Sequence, residues 1–188
     1  SLPPDLSARD AARVEAGFSA RASALERRYT YTIVNRRDPS AVWRRFAHHE
    51  HRELACERMR AAAAHLVGEH DFITFCGGLP ERGGTVRTVW SIDIENDGEI
   101  VRLHVRGAGF LHRMVRIIAG TLLDVGAGRR TPDDVAAMLA AHDRRAGGPT
   151  APPQGLCLVE VLYPGFSSRA PGAAVLSPTA AMLSPASV

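Results

Sequence analysis

Alternating and helical stretches follow one another along this chain in an order that predicts an α+β fold, a mostly antiparallel sheet with helices on one face. Two observations carry the prediction. Residues 86–95 and 100–106 alternate apolar with polar side chains on either side of Asn96-Asp97-Gly98, a strong hairpin signal. Leu111, Met114, Val115, Ile118, Leu122 and Val125 recur instead at helical spacing. The full order reads strand, helix, strand, strand, helix, helix, strand.

Taken along the chain, the opening to about Gly17 is polar and loop-like. Arg28 to Asn35 reads as a strand, with Tyr29, Tyr31 and Ile33 on one face and Arg28, Thr30 and Thr32 on the other. Residues 36–53 are rich in charge and histidine and read as a loop or irregular insert. His48, His49 and His51, with His65, invite a metal reading. No cysteine pairing or supporting carboxylate accompanies them, so a solvated surface is the expectation. Leu54 to Val67 reads as a helix burying Cys56, Met59, Ala63, Leu66 and Val67, with Gly68 as its stop.

In the first hairpin strand Val86, Thr88, Trp90, Ile92 and Ile94 share a face. In the return strand Val101, Leu103 and Val105 point to the core. Arg102, His104 and Arg106 take the other face. They either line a cleft for a polyanion or form an ordinary wet sheet face. The helix opening near Gly109 follows and ends near Gly126. Thr131-Pro132-Asp133-Asp134 starts another: an N-cap threonine, proline at the first position, acids at the positive end of the dipole. Residues 146–154 form a Gly/Pro-rich loop, and Leu156 to Tyr163 a final strand. This gives a domain over residues 1–164. The Ala/Ser/Pro-rich remainder, 165–188, reads as a disordered tail.

Composition narrows the function classes. A chain of 188 residues, 45% hydrophobic, can bury one ordinary core. The net charge is +3 and all 23 basic residues are arginine, a side chain suited to bidentate phosphate contacts. Cys56, Cys76 and Cys157 form no metal or disulfide pattern. No apolar run approaches a membrane span and the start shows no signal peptide, so the expected setting is cytoplasmic. Within this frame Arg116 stands out. It sits one turn into the most apolar helix, where a guanidinium is either a solvated cap or the partner of an anion.

The segment Phe18-Ser19-Ala20-Arg21-Ala22-Ser23-Ala24-Leu25-Glu26-Arg27-Arg28-Tyr29-Thr30-Tyr31 resembles the F-x-A-R-x-S-A-x-x-R-x-Y-x-Y stretch of the tRNA pseudouridine synthase A family. Further matches follow in the same order: Gly68 to Phe72, Val86-Arg87-Thr88, Phe110 to Arg116, Gly120-Thr121-Leu122 with Val125-Gly126, and Gly155 to Leu158. Each is short, but collinearity makes the set specific. The resemblance implies isomerisation of uridine to pseudouridine in the tRNA anticodon stem-loop by a homodimer, without cofactor or metal. It implies an aspartate nucleophile and a flipped-out base. On matching positions it makes Tyr29 the tyrosine that packs on the target uracil. Arg116 becomes the partner of the catalytic aspartate, and Leu156 a hydrophobic border to the base. Arg21, Arg28, Arg102 and Arg106 are weaker candidates for the RNA cleft, chosen from strand faces.

One departure matters. The family's nucleophile lies in a G-R-T-D-x-G-V-H-A motif, and nothing like it occurs here. Asp93 and Asp97 flank a hairpin, Asp133 and Asp134 open a helix, and Asp71, Asp124 and Asp143 have equally plain structural places. Leu2-Pro3-Pro4-Asp5 resembles the family segment that follows the nucleophile. The expectation is therefore a carboxy-terminal portion of such an enzyme, inactive alone. The alternatives are a non-catalytic RNA-binding module and a dimerisation unit derived from that fold.

Overall fold

In the computed structural model, which describes residues 2–8, 11, 13–78, 80 and 83–169, ten regular elements follow one another. They are β1 (Glu26–Asn35), β2 (His48–Glu50), α1 (Cys56–Ala64), β3 (Gly68–Asp71), β4 (Val86–Asp97), β5 (Ile100–Gly107), α2 (Met114–Gly126), α3 (Pro132–Ala141), β6 (Leu156–Tyr163) and β7 (Phe166–Ser167). The strands form one sheet in the order β3-β4-β5-β1-β6-β7. β2 pairs parallel with Ile33–Asn35 of β1, beyond the stretch of β1 that pairs with β6, and every other pairing is antiparallel. This is the α+β architecture that the element order predicts.

The alternation of β1 and β5 sets the layers. Tyr31 lies opposite Leu103 and Ile33 opposite Val101, all four buried, and α1 and α2 pack on that side in one continuous core. α2 is the centre of this layer: twelve of its thirteen residues are buried, and the exception is Arg116. A helix apolar all round needs cover all round. The sheet, α1 and the loop 147–151 supply it. α3 starts with the expected cap: the Thr131 hydroxyl accepts from the Asp134 N–H at 3.3 Å, and the Asp134 carboxylate accepts from the Thr131 N–H at 2.7 Å.

Several details depart from the sequence reading. A bulge between Val89 and Ser91 breaks the alternation of β4. Val89 is therefore fully buried and Trp90 is 42% exposed, whereas strict alternation places Trp90 inward. The hairpin loop is Gly98-Glu99, one residue later than expected, with Gly98 at φ +61°. β2 and β3 occupy stretches read as insert and helix stop, because three- and four-residue strands carry too little periodicity to show. Phe166–Ser167, expected in the tail, pairs with Leu162 and Tyr163; the rest of that predicted tail, from residue 170, lies outside the described residues. His48 and His49 fall in β2 and His65 closes α1. Among the described residues no three metal-ligating side chains are grouped to hold an ion, and no helix is long and apolar enough to cross a membrane.

Candidate functional site

Tyr29 lies on the helix face of the sheet, packed against the margin of the core. It shares its face with Tyr31 and sits opposite Val105, yet it is only half-buried. Its ring meets Phe110 edge-on, with centroids 5.4 Å apart and planes at 89°. Phe110 comes from the loop between β5 and α2, and it lies where a side chain on Gly107 would be. A Cβ there would stand 2.7 Å from the Thr88 carbonyl oxygen and 3.0 Å from the Phe110 ring, so only glycine allows this packing. Burial pushes the Tyr29 phenol up from its ordinary value, partly offset by the Arg27 guanidinium, so the group stays protonated near neutrality.

Arg116 is held from both sides by one residue. Its Nε donates to the Ala151 carbonyl oxygen at 2.7 Å, and its own carbonyl accepts from the Ala151 N–H at 3.0 Å. The loop reaches α2 this closely because a glycine stands on each side of the contact, Gly120 on the helix and Gly148 in the loop. A Cβ on Gly120 would stand 2.1 Å from the Pro149 oxygen, and one on Gly148 would stand 2.3 Å from the Thr121 hydroxyl. The next carbonyl in the loop, Pro152, accepts from the Tyr31 hydroxyl at 2.8 Å. Burial raises the Tyr31 phenol strongly, and the positive charge of Arg116 opposes that rise. Leu156 lies opposite Tyr31 on β6 and packs on the same core as Tyr29 and Phe110. With its Nε engaged by a neutral carbonyl, the Arg116 guanidinium meets no carboxylate among the described residues. A shaped, half-buried cation of this kind is suited to receive an anion.

The structure thus brings Tyr29, Arg116 and Leu156 to one face. It puts Arg28, Arg102 and Arg106 on the opposite face, where each has an acid. Arg28 donates to Glu26 at 2.5 Å and to Glu160 at 2.8 Å. Arg106 donates to Glu26 at 2.7 Å, and Arg102 reaches Glu95 at 3.5 Å, beside the His104 contact to the same carboxylate at 3.2 Å. Arg106, then Arg28, hold the Glu26 carboxyl down to about 2. Three guanidiniums face three carboxylates there, so each arginine of the expected stripe already has an acid beside it. Arg21 is exposed, and its backbone carbonyl accepts from Arg27.

Phe110, Ala151 and Gly120 are parts of the site that sequence reasoning did not single out. Phe110 carried a signal, since it opens a family-like motif. Gly120 also falls in a motif, but its use depends on a loop some thirty residues away in sequence and could not be read locally.

A family model described as tRNA pseudouridine synthase matches residues 62–164. Among curated relatives, tRNA pseudouridine synthase A of Geotalea uraniireducens is 50% identical over 162 residues, covering 86% of this chain and 66% of the relative. The protein of the same name from Bacillus subtilis is 43% identical and that from Caldicellulosiruptor bescii 39%, each over the same shares. The chain thus spans 66% of the length of these relatives.

Proposed function

The chain belongs to the tRNA pseudouridine synthase family, and from that membership we propose that it serves the isomerisation of uridine to pseudouridine in the anticodon stem-loop of tRNA. In this reading Tyr29 and Phe110 are the platform for a flipped-out uracil, and Leu156 borders it. Arg116 pairs with the nucleophilic aspartate, orients it and keeps it ionised. The reaction exchanges the bond from the ribose to N1 of uracil for one to C5. The C5 proton leaves and N1 takes one up, so no atom or electron is gained, and no cofactor or metal is called for. Tyr29, protonated near neutrality, offers its hydroxyl as a hydrogen-bond donor or proton relay beside the base.

The nucleophile itself is assigned to residues outside this sequence, which has no G-R-T-D motif. In the same reading the working enzyme is a cytoplasmic homodimer. The observation that carries the proposal is Arg116, fixed by Ala151 on the face of Tyr29 and Leu156 and without an acid among the described residues.

The test is complementation. The purified chain is mixed with the separately expressed amino-terminal segment of the Geotalea uraniireducens relative, and tritium release from uracil C5 of labelled tRNA is followed. The chain alone releases none; the mixture releases tritium. Arg116→Gln slows the mixture about 10²-fold, the usual effect of losing one positioned charge partner. Turnover by the chain alone, or full activity with Arg116→Gln, refutes the reading. RNA binding without turnover in any mixture points instead to a non-catalytic RNA-binding module, and neither binding nor turnover to a dimerisation unit.

A further inference from the structure

Two groups of described arginines near the site differ in the partners they meet. Those of the open sheet face are matched by acids, as described. Around the loop from Gly107 to Arg113 the opposite holds. Arg27 donates to the carbonyls of Ala24, Ala108 and Arg21. Arg87 donates to the carbonyls of Gly84 and Val86. Arg116 donates to Ala151. Arg113 is exposed and has no side-chain hydrogen bond among the described residues; its stem lies against Gly77, where a Cβ would stand 2.9 Å from its own Cβ. All these partners are neutral, so four positive charges stay uncompensated among the described residues.

They also converge. Arg27 Nη1 and Arg87 Cδ each come within 3.9 Å of the point a Gly109 side chain would occupy. Among the described residues, Glu69 accepts from the Thr88 hydroxyl at 3.4 Å and Asp71 from the Ile73 N–H at 3.0 Å, and neither forms an ion pair with these arginines. Arg113 holds a left-handed backbone at φ +58°, a conformation that strains a residue bearing a side chain. Strain of that kind at a site rim is kept where the side chain it aims is used.

We propose that Arg27, Arg87 and Arg113 form the phosphate-binding rim of the site, receiving the RNA backbone on either side of the base held at Tyr29 and Phe110. The proposal rests on the reading of the chain as part of a tRNA-modifying enzyme, and it moves the RNA surface from the open sheet face to the rim of the helix face. A single aspartate satisfies one cation, Arg116. Three more, spread along a loop edge, match a chain of regularly spaced phosphates better than one acidic side chain.

The experiment measures anisotropy of a labelled uridine-containing RNA stem-loop bound to the full chain, over a salt series. Each phosphate contact contributes about 0.7–0.9 to the slope of log affinity against log salt. Arg87→Gln and Arg113→Gln are expected each to flatten the slope by about that amount. Arg113→Gly is expected to do the same while relieving the backbone, which guards against a folding artefact. Arg102→Gln, on the other face, leaves the slope unchanged. Arg27 staples residues 21–24 to Ala108, so Arg87 and Arg113 are the informative positions.

The proposal is overturned if the chain does not bind the RNA. It is overturned equally if the slope ignores Arg87 and Arg113, which would leave these cations to an acidic protein segment, or if it responds to Arg102. Slope changes without tritium release in the complementation assay would uphold this rim and refute the catalytic reading, so the two can fail separately.

Discussion

Gly120 provides the sharpest test of how the site is held. Judged as a residue inside a helix, Gly120→Ala should stabilise the protein by about 1 kcal/mol, because alanine is the better helix former. The tertiary structure reverses that sign. The new Cβ would lie 2.1 Å from the Pro149 carbonyl oxygen, so the loop 147–151 must lift by about 1 Å or more to restore van der Waals contact. Overpacking of this kind costs about 1–3 kcal/mol. Lifting the loop also stretches the Ala151–Arg116 backbone bond, worth about 1 kcal/mol. The charged bond from Arg116 Nε to Ala151 stretches with it, worth about 1.5–3 kcal/mol if lost outright. With partial relaxation, and after subtracting the helix gain, the net effect is a destabilisation of about 2–4 kcal/mol. Urea unfolding followed by circular dichroism gives the number directly, as a lowered midpoint at unchanged slope. A midpoint equal to or above that of the parent chain would show that the loop does not bear on Gly120, and the account of how Arg116 is positioned would fall with it.

Two further outcomes follow from charge and capping. Glu26 is buried between Arg28 and Arg106, and its carboxyl is lowered from the model-compound value of 4.5 to about 2. A depressed carboxylate stabilises the fold above its unfolded pKa and loses that contribution as pH falls through the folded one, so the window runs from about pH 4.5 down to about 2. The full shift corresponds to about 3 kcal/mol, and the partial exposure of both arginines reduces it to about 1–2 kcal/mol. Glu26→Gln should therefore be less stable at neutral pH by that amount, with the difference vanishing at the acid end; a gap independent of pH would contradict the assignment. Thr131→Ala removes one half of the α3 capping box and should cost about 1 kcal/mol in the same urea assay, whereas Thr131→Ser should be close to neutral.

Much of the fold was legible because it is written in short-range pattern. The alternation of Val101, Leu103 and Val105 placed β5 correctly, and the bounds of β6 came out as read. Thr131, Pro132 and Asp134 announced α3 through local hydrogen bonds alone. The failures have a common cause. At Trp90 a bulge reverses the facing of everything before it, and a bulge is a property of two paired strands, not of one. β2 is three residues long and exists only because Ile33–Asn35 offers it a free edge.

The site divides in the same way. Motifs of successive residues marked Tyr29, Arg116 and Leu156, and the fold sets all three on the helix side of the sheet. The reading of Arg28, Arg102 and Arg106 as one cationic stripe used strand faces correctly but lacked their partners. Arg106 meets Glu26 from eighty positions away, and Arg28 meets Glu160 across the next pairing.

By itself, then, the sequence determined the family, the α+β class and which side of each regular strand faces the core, since these depend on residue types and spacings a few positions apart. Only the tertiary structure decided which of the described arginines meet an acid and which meet a backbone carbonyl. It alone decided why Gly120 must be glycine and how Arg116 is aimed. Those outcomes depend on strand register and on a loop laid over a distant helix, and electrostatic pairing acts over a few ångströms of space whatever the separation along the chain.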